Sequence, residues 1–416
     1  MKFKNRWRLV IAVAVAILAL AASVYFVAAS RSRPWRTVSS GRAGLANTAS
    51  WGGDSVAWSW NTASHNGVEV RSPFTGTSSQ LEPSATAGAS DAAWWGGRVY
   101  WLRTSTGQIM SADPDGTDLR TVLSLPRDQR ARDPRIGGGA AVWFERTSPS
   151  IWSIRTFTLG TTDVREVATM TATPNVDHAF VDVVMTDSLL AWAGPDNAMG
   201  TGSESVLVCT ITDGVVGQPK VLSADPDGTG AYVAFSLAAG DDRIAWTAER
   251  PGTTGAVCTW AVGDLRPRDV SSGIEPAYEV DIGSRLAVTK GLVAWCARKA
   301  HEDAPRTVAV WAPGAAEVSL RAEDGMLAVD QLTADDSRLA WVETRSFDIG
   351  PLRTPEDIAM VATGSSAVER FTPSGLQGGY VDDLRVSGER VTFVSADRDS
   401  ENNLMFVCAP ASGWTQ

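Results

Sequence analysis

The sequence predicts an all-β fold: a single β-propeller of eight four-stranded blades, preceded by one N-terminal transmembrane helix. Three features predict it: a repeated aromatic motif, β-rich runs between its copies, and an apolar N-terminal segment beside basic residues. With 44% hydrophobic and 20% charged residues, the 416-residue chain has the composition of a globular protein with a large core. A count of seven blades is the alternative.

The repeated motif is a Gly or Asp turn followed by a short apolar run that ends in an aromatic residue. Successive aromatics are 42 to 54 residues apart, the length of one four-stranded blade. We expect the second strand of each blade to carry this side chain into the space between neighbouring blades. The eight repeat aromatics are Trp58, Trp101, Trp143, Trp192, Trp246, Trp295, Trp341 and Phe393.

Further β-rich runs follow each aromatic, for example residues 107–112 and 119–123, with turns rich in Asp, Gly and Pro between them. A lone strand at residues 36–40 precedes the first repeat, and the last repeat stops soon after its third strand. We therefore expect the N-terminal strand to complete the last blade, so that no sheet edge is left open.

The N-terminus predicts the compartment of the protein. Residues 1–8 carry four basic side chains and form a short cytoplasmic segment, and residues 9–29 are uncharged and long enough to span a bilayer as a signal-anchor helix. Residues 30–35 are a linker, and residues 36–416 form the propeller outside the cytoplasm, tethered to the cell membrane by a single pass. Alternatively, signal peptidase cleaves after the small residues 27–29, and the propeller is secreted.

Several function classes find no support in the composition and motifs. A net charge of -10, from 37 basic and 47 acidic residues, disfavours nucleic acid as a partner. His65, His178 and His301 lack metal-ligand spacing, and neither a nucleophile elbow nor a phosphate-binding loop occurs. No catalytic residue, metal site or cofactor is predicted.

The four cysteines allow two interpretations. They pair as disulfides outside the cytoplasm, or they are small buried hydrophobes within strands. Their spacing matches no metal-site motif. They are Cys209, Cys258, Cys296 and Cys408.

One repeat carries a family resemblance. Residues 97–120 combine Gly-Arg-Val-Tyr-Trp, Gly-Gln-Ile-Met-Ser-Ala and Asp-Pro-Asp-Gly-Thr-Asp-Leu-Arg. This blade resembles the repeat of TolB-like proteins and, more loosely, of YWTD-type propellers. The resemblance implies a propeller fold and protein–protein interaction at the cell envelope, and it assigns no catalytic residue. The Asp-Pro-Asp-Gly segment, which recurs at residues 225–228, is interpreted as a turn, with a small calcium loop as the alternative.

A candidate binding site comes from aligning the repeats on their aromatics. The residue ten positions earlier is polar in all eight, and the next residue is apolar, as expected where the innermost strand begins. This polar ring consists of Thr48, Asp91, Asp133, Asp182, Ser236, Arg285, Gln331 and Asp383. Four Asp against one Arg predict an electronegative channel mouth that attracts a cation, a basic peptide or a polyol. The alternative is that these side chains cap backbone N–H groups at the strand ends.

These features favour a binding or scaffold module of the bacterial cell envelope, whose partner is an envelope protein or an extracellular ligand. The alternative function is a carbohydrate-active enzyme, a glycosidase or lyase. In that case Asp133 and Asp182 act as acid and base across the channel mouth.

Overall fold

The computed structural model describes residues 35–410 apart from seventeen short interruptions. These interruptions are residues 43–48, 62–65, 73–74, 83–87, 127–130, 162, 172–181, 195–204, 226–232, 250–254, 283, 301–306, 322–327, 345–356, 372–379, 389 and 397–403, and the side chains of some flanking strand residues. The predicted membrane helix at residues 9–29 lies outside the described residues. None of the helices within them combines the length and apolar character needed to cross a bilayer.

The described strands form eight antiparallel sheets, which are the eight blades of a β-propeller. Eight sheets exclude the alternative count of seven. Blades 1 to 4 consist of Ala49–Gly52, Ser55–Asn61, Asn66–Arg71 and Ser78–Gln80; Ala89–Trp95, Arg98–Arg103, Gln108–Ala112 and Arg120–Ser124; Ala131–Gly137, Ala140–Ser148, Ile151–Thr158 and Val164–Thr171; and Asp182–Met185, Leu189–Ala193, Ser205–Thr212 and Lys220–Ser223.

The second half of the chain repeats this meander. Blades 5 to 8 consist of Val233–Ala239, Arg243–Glu249, Ala256–Ala261 and Arg268–Asp269; Leu286–Val288, Val293–Lys299, Thr307–Trp311 and Ser319–Leu320; Ala328–Ala334, Arg338–Thr344, Asp357–Ala362 and Val368–Phe371; and Tyr380–Ser387, Arg390–Ala396, Leu404–Pro410 and Trp35–Arg42. Three short elements accompany these strands: Val215–Val216, the 3-10 helix Ser271–Gly273, and Tyr278–Val280.

The last blade takes its outermost strand from the N-terminus of the described chain. Trp35–Arg42 pairs antiparallel with Leu404–Pro410, from Trp35 opposite Pro410 to Arg42 opposite Leu404. The predicted closure of the ring by both ends of the chain is confirmed. Arg390 adds a second link, because its Nη1 donates to the carbonyl oxygen of Gly53 in blade 1 at 2.8 Å.

The hydrophobic core lies between the blades. All eight repeat aromatics are at most 3% exposed, which confirms their predicted role in packing. Trp192 of blade 4, for example, shares a cluster with Val142 and Phe144 of blade 3. The rings of Phe144 and Trp192 meet edge to face, with centroids 6.2 Å apart and planes at 78°. Trp192 thus joins its own blade to its neighbour.

Blade 7 combines its repeat tryptophan with a buried ion pair. Nε1 of Trp341 donates to Oε1 of Glu343 at 2.9 Å. Arg370 donates to both oxygens of the same carboxylate, from Nε at 2.7 Å and from Nη2 at 3.1 Å. The Glu343 side chain is 3% exposed and that of Arg370 17%. Paired donors are what allow a carboxylate to be buried at this depth.

Blade 2 reaches the same arrangement from a different position in the sequence. Nε1 of Trp101 donates to Oε2 of Glu82 at 3.3 Å, and Arg103 donates from Nε to that oxygen at 2.9 Å. The Glu82 side chain is 0% exposed. It follows the outermost strand of blade 1, whereas Glu343 lies two residues after its tryptophan on the same strand. The two blades therefore share a buried carboxylate but not a sequence motif.

Candidate functional site

A cavity of about 960 Å³ lies at the centre of the propeller, and residues from the innermost strands of all eight blades line it. One residue from each blade forms a single layer, because all eight pair with the residue immediately before a repeat aromatic. The members of this axial ring are Ser50, Ala93, Arg135, Val184, Ala238, Ala287, Thr333 and Arg385. Arg135 and Arg385 are its charged members, in a layer of otherwise short side chains.

Five innermost strands contain a β-bulge at the predicted polar position. In blade 2, Ser90 pairs with Leu102 and Ala93 with Tyr100, so two consecutive residues face Trp101. The bulged residues are Asp91–Ala92, Asp133–Pro134, Phe235–Ser236, Gln331–Leu332 and Asp383–Leu384. The bulge interrupts the strict alternation that the sequence predicted. In these five blades the polar residue therefore lies at a kink of the strand and is out of phase with the axial ring.

Asp91 and Arg135 approach each other across the gap between blades 2 and 3. The φ angle of Asp91 is 54°, in the left-handed region that Asp tolerates better than most residues. Its Oδ2 accepts a hydrogen bond from Oγ of Ser90 at 2.9 Å. Its Oδ1 lies 3.8 Å from Nη1 of Arg135, longer than a direct hydrogen bond. Both side chains line the cavity.

Asp182 joins blade 4 to blade 5. Its Oδ1 accepts the backbone N–H of Val183 at 2.8 Å, and its Oδ2 accepts the backbone N–H of Leu237 at 2.9 Å. Burial raises the pKa of Asp182, and the hydrogen bonds from Leu237 and Val183, together with the positive charge of Arg135, oppose that rise. At this position the geometry is that of the capping interpretation, because both carboxylate oxygens bind backbone amides.

The other described members of the polar ring differ in environment. Ser236 and Arg285 line the cavity, and Arg285 is exposed. Gln331 is 9% exposed, with a φ angle of 52°, and its backbone N–H donates to Oδ1 of Asp330 at 2.6 Å. Its buried Oε1 has no hydrogen-bond partner among the described residues. Gln331 is not one of the described residues that line the cavity.

Three members of the polar ring cannot be placed with their side chains. Thr48 lies outside the described residues, and Asp133 and Asp383 lie on described strands whose side chains at these positions are not described. The described lining contains three arginines and two aspartates. Among these residues the balance of charge is positive. The predicted electronegative mouth also counted Asp133 and Asp383, whose side chains are not described, so it stays a prediction.

The sequence alignment missed Arg135 and Arg385. Both lie eight residues before their repeat aromatic, two positions beyond the predicted ring. Counting back eight residues gives the axial ring in all eight blades, and this count would have found both arginines. The strict alternation assumed for an unbulged strand gave no reason to prefer one count over the other.

The first Asp-Pro-Asp-Gly segment forms the predicted turn. The backbone N–H of Gly116 donates to the carbonyl oxygen of Asp113 at 2.9 Å, and Gly116 has a φ angle of 90°. Oδ1 of Asp113 binds Nη1 of Arg98 at 2.5 Å, and Oδ1 of Asp115 accepts the backbone N–H of Thr117 at 2.9 Å. Arg98 and backbone donors thus occupy the carboxylates of the alternative calcium loop. The second copy of the motif and the three histidines lie largely outside the described residues.

The cysteines with described side chains are buried thiols. Cys209, Cys258 and Cys296 are at most 2% exposed and form no disulfide. Burial raises the pKa of Cys209 and of Cys296 to about 12. For these three residues the structure supports the interpretation as small buried hydrophobes. The side chain of Cys408 lies outside the description.

Comparison with known proteins identifies the fold. No family model and no curated protein matches the chain. Among solved structures, the chain is similar to a computationally designed protein, Ika8, with a TM-score of 0.55 and 13% identity over 90% of this chain and 98% of that one. It is also similar to a puromycin hydrolase mutant complexed with PGG, with a TM-score of 0.52 and 12% identity over 85% of this chain and 58% of that one.

A puromycin-hydrolyzing peptidase of Mycobacterium tuberculosis matches to a similar degree, with a TM-score of 0.51 and 15% identity over 85% of this chain and 58% of that one. The chain thus spans 58% of the length of these two enzymes. At such identities the similarity establishes a shared fold and assigns no activity.

Proposed function

We propose that this chain is a binding or scaffold propeller of the bacterial cell envelope, tethered to the membrane by its N-terminal helix, and that its axial cavity is the binding site. The apolar segment at residues 9–29 supports the tether, and the TolB-like blade at residues 97–120 supports a role at the envelope. The chemistry of the cavity supports binding.

The observation that carries the proposal is the composition of the cavity lining. A propeller is stabilised by packing between blades, and here that packing belongs to the buried aromatics and their neighbours. Packing alone does not require charged side chains beside the channel, yet Asp91, Arg135 and Arg385 line it. An open cavity of about 960 Å³ with a few convergent polar groups is the usual form of a ligand site.

The enzyme alternative has weaker support from the described residues. Asp182, one of its two predicted carboxylates, is bound through both oxygens to the backbone N–H groups of Val183 and Leu237. A general acid or base must instead reach a substrate proton. A binding function requires no such freedom from Asp182, which can hold blades 4 and 5 together beside a ligand.

The binding function is tested by narrowing the channel. Ala93 and Ala238 belong to the axial ring on blades 2 and 5, and we expect Ala93→Phe with Ala238→Phe to fill the cavity from two sides. Calorimetric titration of the full-length chain in a neutral detergent would use neutral oligosaccharides, basic peptides and small anions. We expect at least one class to bind, and the doubly substituted protein to lose that binding.

The matched control is Leu265→Phe, at a rim position that is 97% exposed and far from the channel lining. It should leave binding unchanged. Binding that survives both phenylalanines in a folded protein, or the absence of binding by every class, would contradict the proposal.

The tether is tested by membrane fractionation. We expect the full-length chain to stay with membranes after alkaline carbonate extraction, and protease added to intact spheroplasts to digest the propeller. Deleting residues 9–29 should leave the propeller soluble and protected inside the cell. A mature N-terminus directly after Ala29, found by N-terminal sequencing, would replace the tether with secretion.

A further inference from the structure

The charges of the axial ring are both positive. Arg135 and Arg385 hold equivalent positions, because Arg135 pairs with Val142 and Arg385 with Thr392, each one residue before the repeat aromatic. In the other six blades this position holds a short uncharged residue. Two long arginine side chains therefore lie in one layer of the channel, and the short side chains of the other six blades leave space around them.

A third arginine lines the same cavity from the adjoining layer. Arg285 immediately precedes the innermost strand of blade 6, Leu286–Val288, and is exposed. The three arginines belong to blades 3, 6 and 8, which are three, two and three steps apart around the ring. Since eight blades divide the circle evenly, they approach the axis from directions roughly 135°, 90° and 135° apart.

The acidic side chains of the described lining are already engaged. Asp182 binds two backbone N–H groups, and Asp91 accepts a hydrogen bond from Ser90. Nη1 of Arg135, in contrast, donates to the carbonyl oxygen of Pro134 at 3.2 Å. The same nitrogen lies 3.8 Å from Oδ1 of Asp91. Nε and Nη2 of Arg135 have no partner among the described residues, and its side chain is 37% exposed.

We infer that the axial cavity binds a small anion with two or more carboxylate or phosphate groups, contacted from three sides by Arg135, Arg285 and Arg385. Guanidinium groups pair with carboxylate and phosphate oxygens through parallel N–H donors. Arginines on opposite sides of a channel cannot share one small group, so they select a ligand with several anionic groups. This inference rests on the proposed binding function and specifies the ligand class.

The test titrates the full-length chain with tricarballylate, with its neutral trimethyl ester, with inorganic pyrophosphate and with spermidine. We expect tricarballylate, pyrophosphate or both to bind, and the ester and the cation not to bind. Comparing the two anions identifies which oxyanion the site prefers. Added NaCl should weaken the binding. Each of Arg135→Gln, Arg285→Gln and Arg385→Gln should weaken it about ten- to hundredfold, as expected for the loss of a charge-assisted hydrogen bond.

The control is Arg268→Gln, a rim arginine with a 65% exposed side chain, which should leave anion binding unchanged. Arg135→Lys and Arg385→Lys keep the charge and guard against misfolding of the glutamine variants, and they should retain part of the affinity.

The outcomes separate this inference from the proposed function. Binding of the ester, spermidine or a neutral oligosaccharide that the two channel phenylalanines abolish, without binding of either anion, would overturn the anion inference and leave the binding function intact. Anion binding that persists when all three arginines are glutamine would also overturn it. Failure of every ligand to bind would contradict both.

Discussion

Replacing Trp35–Arg42 with a glycine-serine segment of equal length is expected to lower the melting temperature of the full-length chain by at least roughly 5 °C. This strand supplies the outermost pairing of blade 8, opposite Leu404–Pro410. Its loss removes a ladder of backbone hydrogen bonds, each contributing about 0.5–1.5 kcal/mol. It also opens the ring at blade 8, whose strands come from both ends of the described chain.

A peptide added in trans provides the control. The peptide Trp35–Arg42 should restore the melting temperature of the replaced protein in proportion to its concentration, because a ligand that binds only the folded state stabilises it by mass action. A scrambled peptide of the same composition should have no effect. Without the peptide, the exposed edge of Leu404–Pro410 should promote association between molecules, measurable by light scattering. An unchanged melting temperature would show that the closure does not stabilise the ring.

The sequence predicted the fold because a propeller repeats one pattern. The aromatic residue on the second strand of a blade packs against the preceding blade, as Trp192 does against Phe144. Every repeat therefore needs a large side chain at the same position. The aromatic residues therefore recur at intervals of one blade length, and their number and positions predict the number of blades and the second strand of each. The closing strand followed from counting strands in the last repeat. The membrane helix at residues 9–29 stays a prediction.

The candidate site was only partly predictable. The alignment located residues that line the channel, including Asp91, Asp182 and Arg285. It missed Arg135 and Arg385, two positions further along their strands, because it did not allow for the bulge that shifts the phase of each strand. Which carboxylates bind backbone amides depends on the neighbouring blade, as with Asp182 and Leu237. Contacts 55 residues apart leave no trace in the local sequence.

The buried carboxylates of blades 2 and 7 were not predicted for a similar reason. In a strand, Glu343 shares a face with Trp341, and the sequence alone does not tell whether that face is covered. The structure buries it and supplies Arg370 from the outermost strand of the same blade. An acid two residues after a repeat aromatic therefore becomes informative only when a basic partner can reach it.

Glu343→Ala is consequently expected to cost about 3–5 kcal/mol of unfolding free energy, because it leaves the partly buried Arg370 guanidinium and Nε1 of Trp341 without their acceptor. Urea denaturation of the full-length chain measures the loss. The double variant Glu343→Leu with Arg370→Met should recover most of the lost stability, since an apolar pair avoids an uncompensated buried charge.

The exposed pair Arg268–Asp264, at 3.6 Å, is the matched control. Arg268→Ala should change stability by less than about 1 kcal/mol. Equal losses at the two pairs would mean that burial does not set the contribution of Glu343.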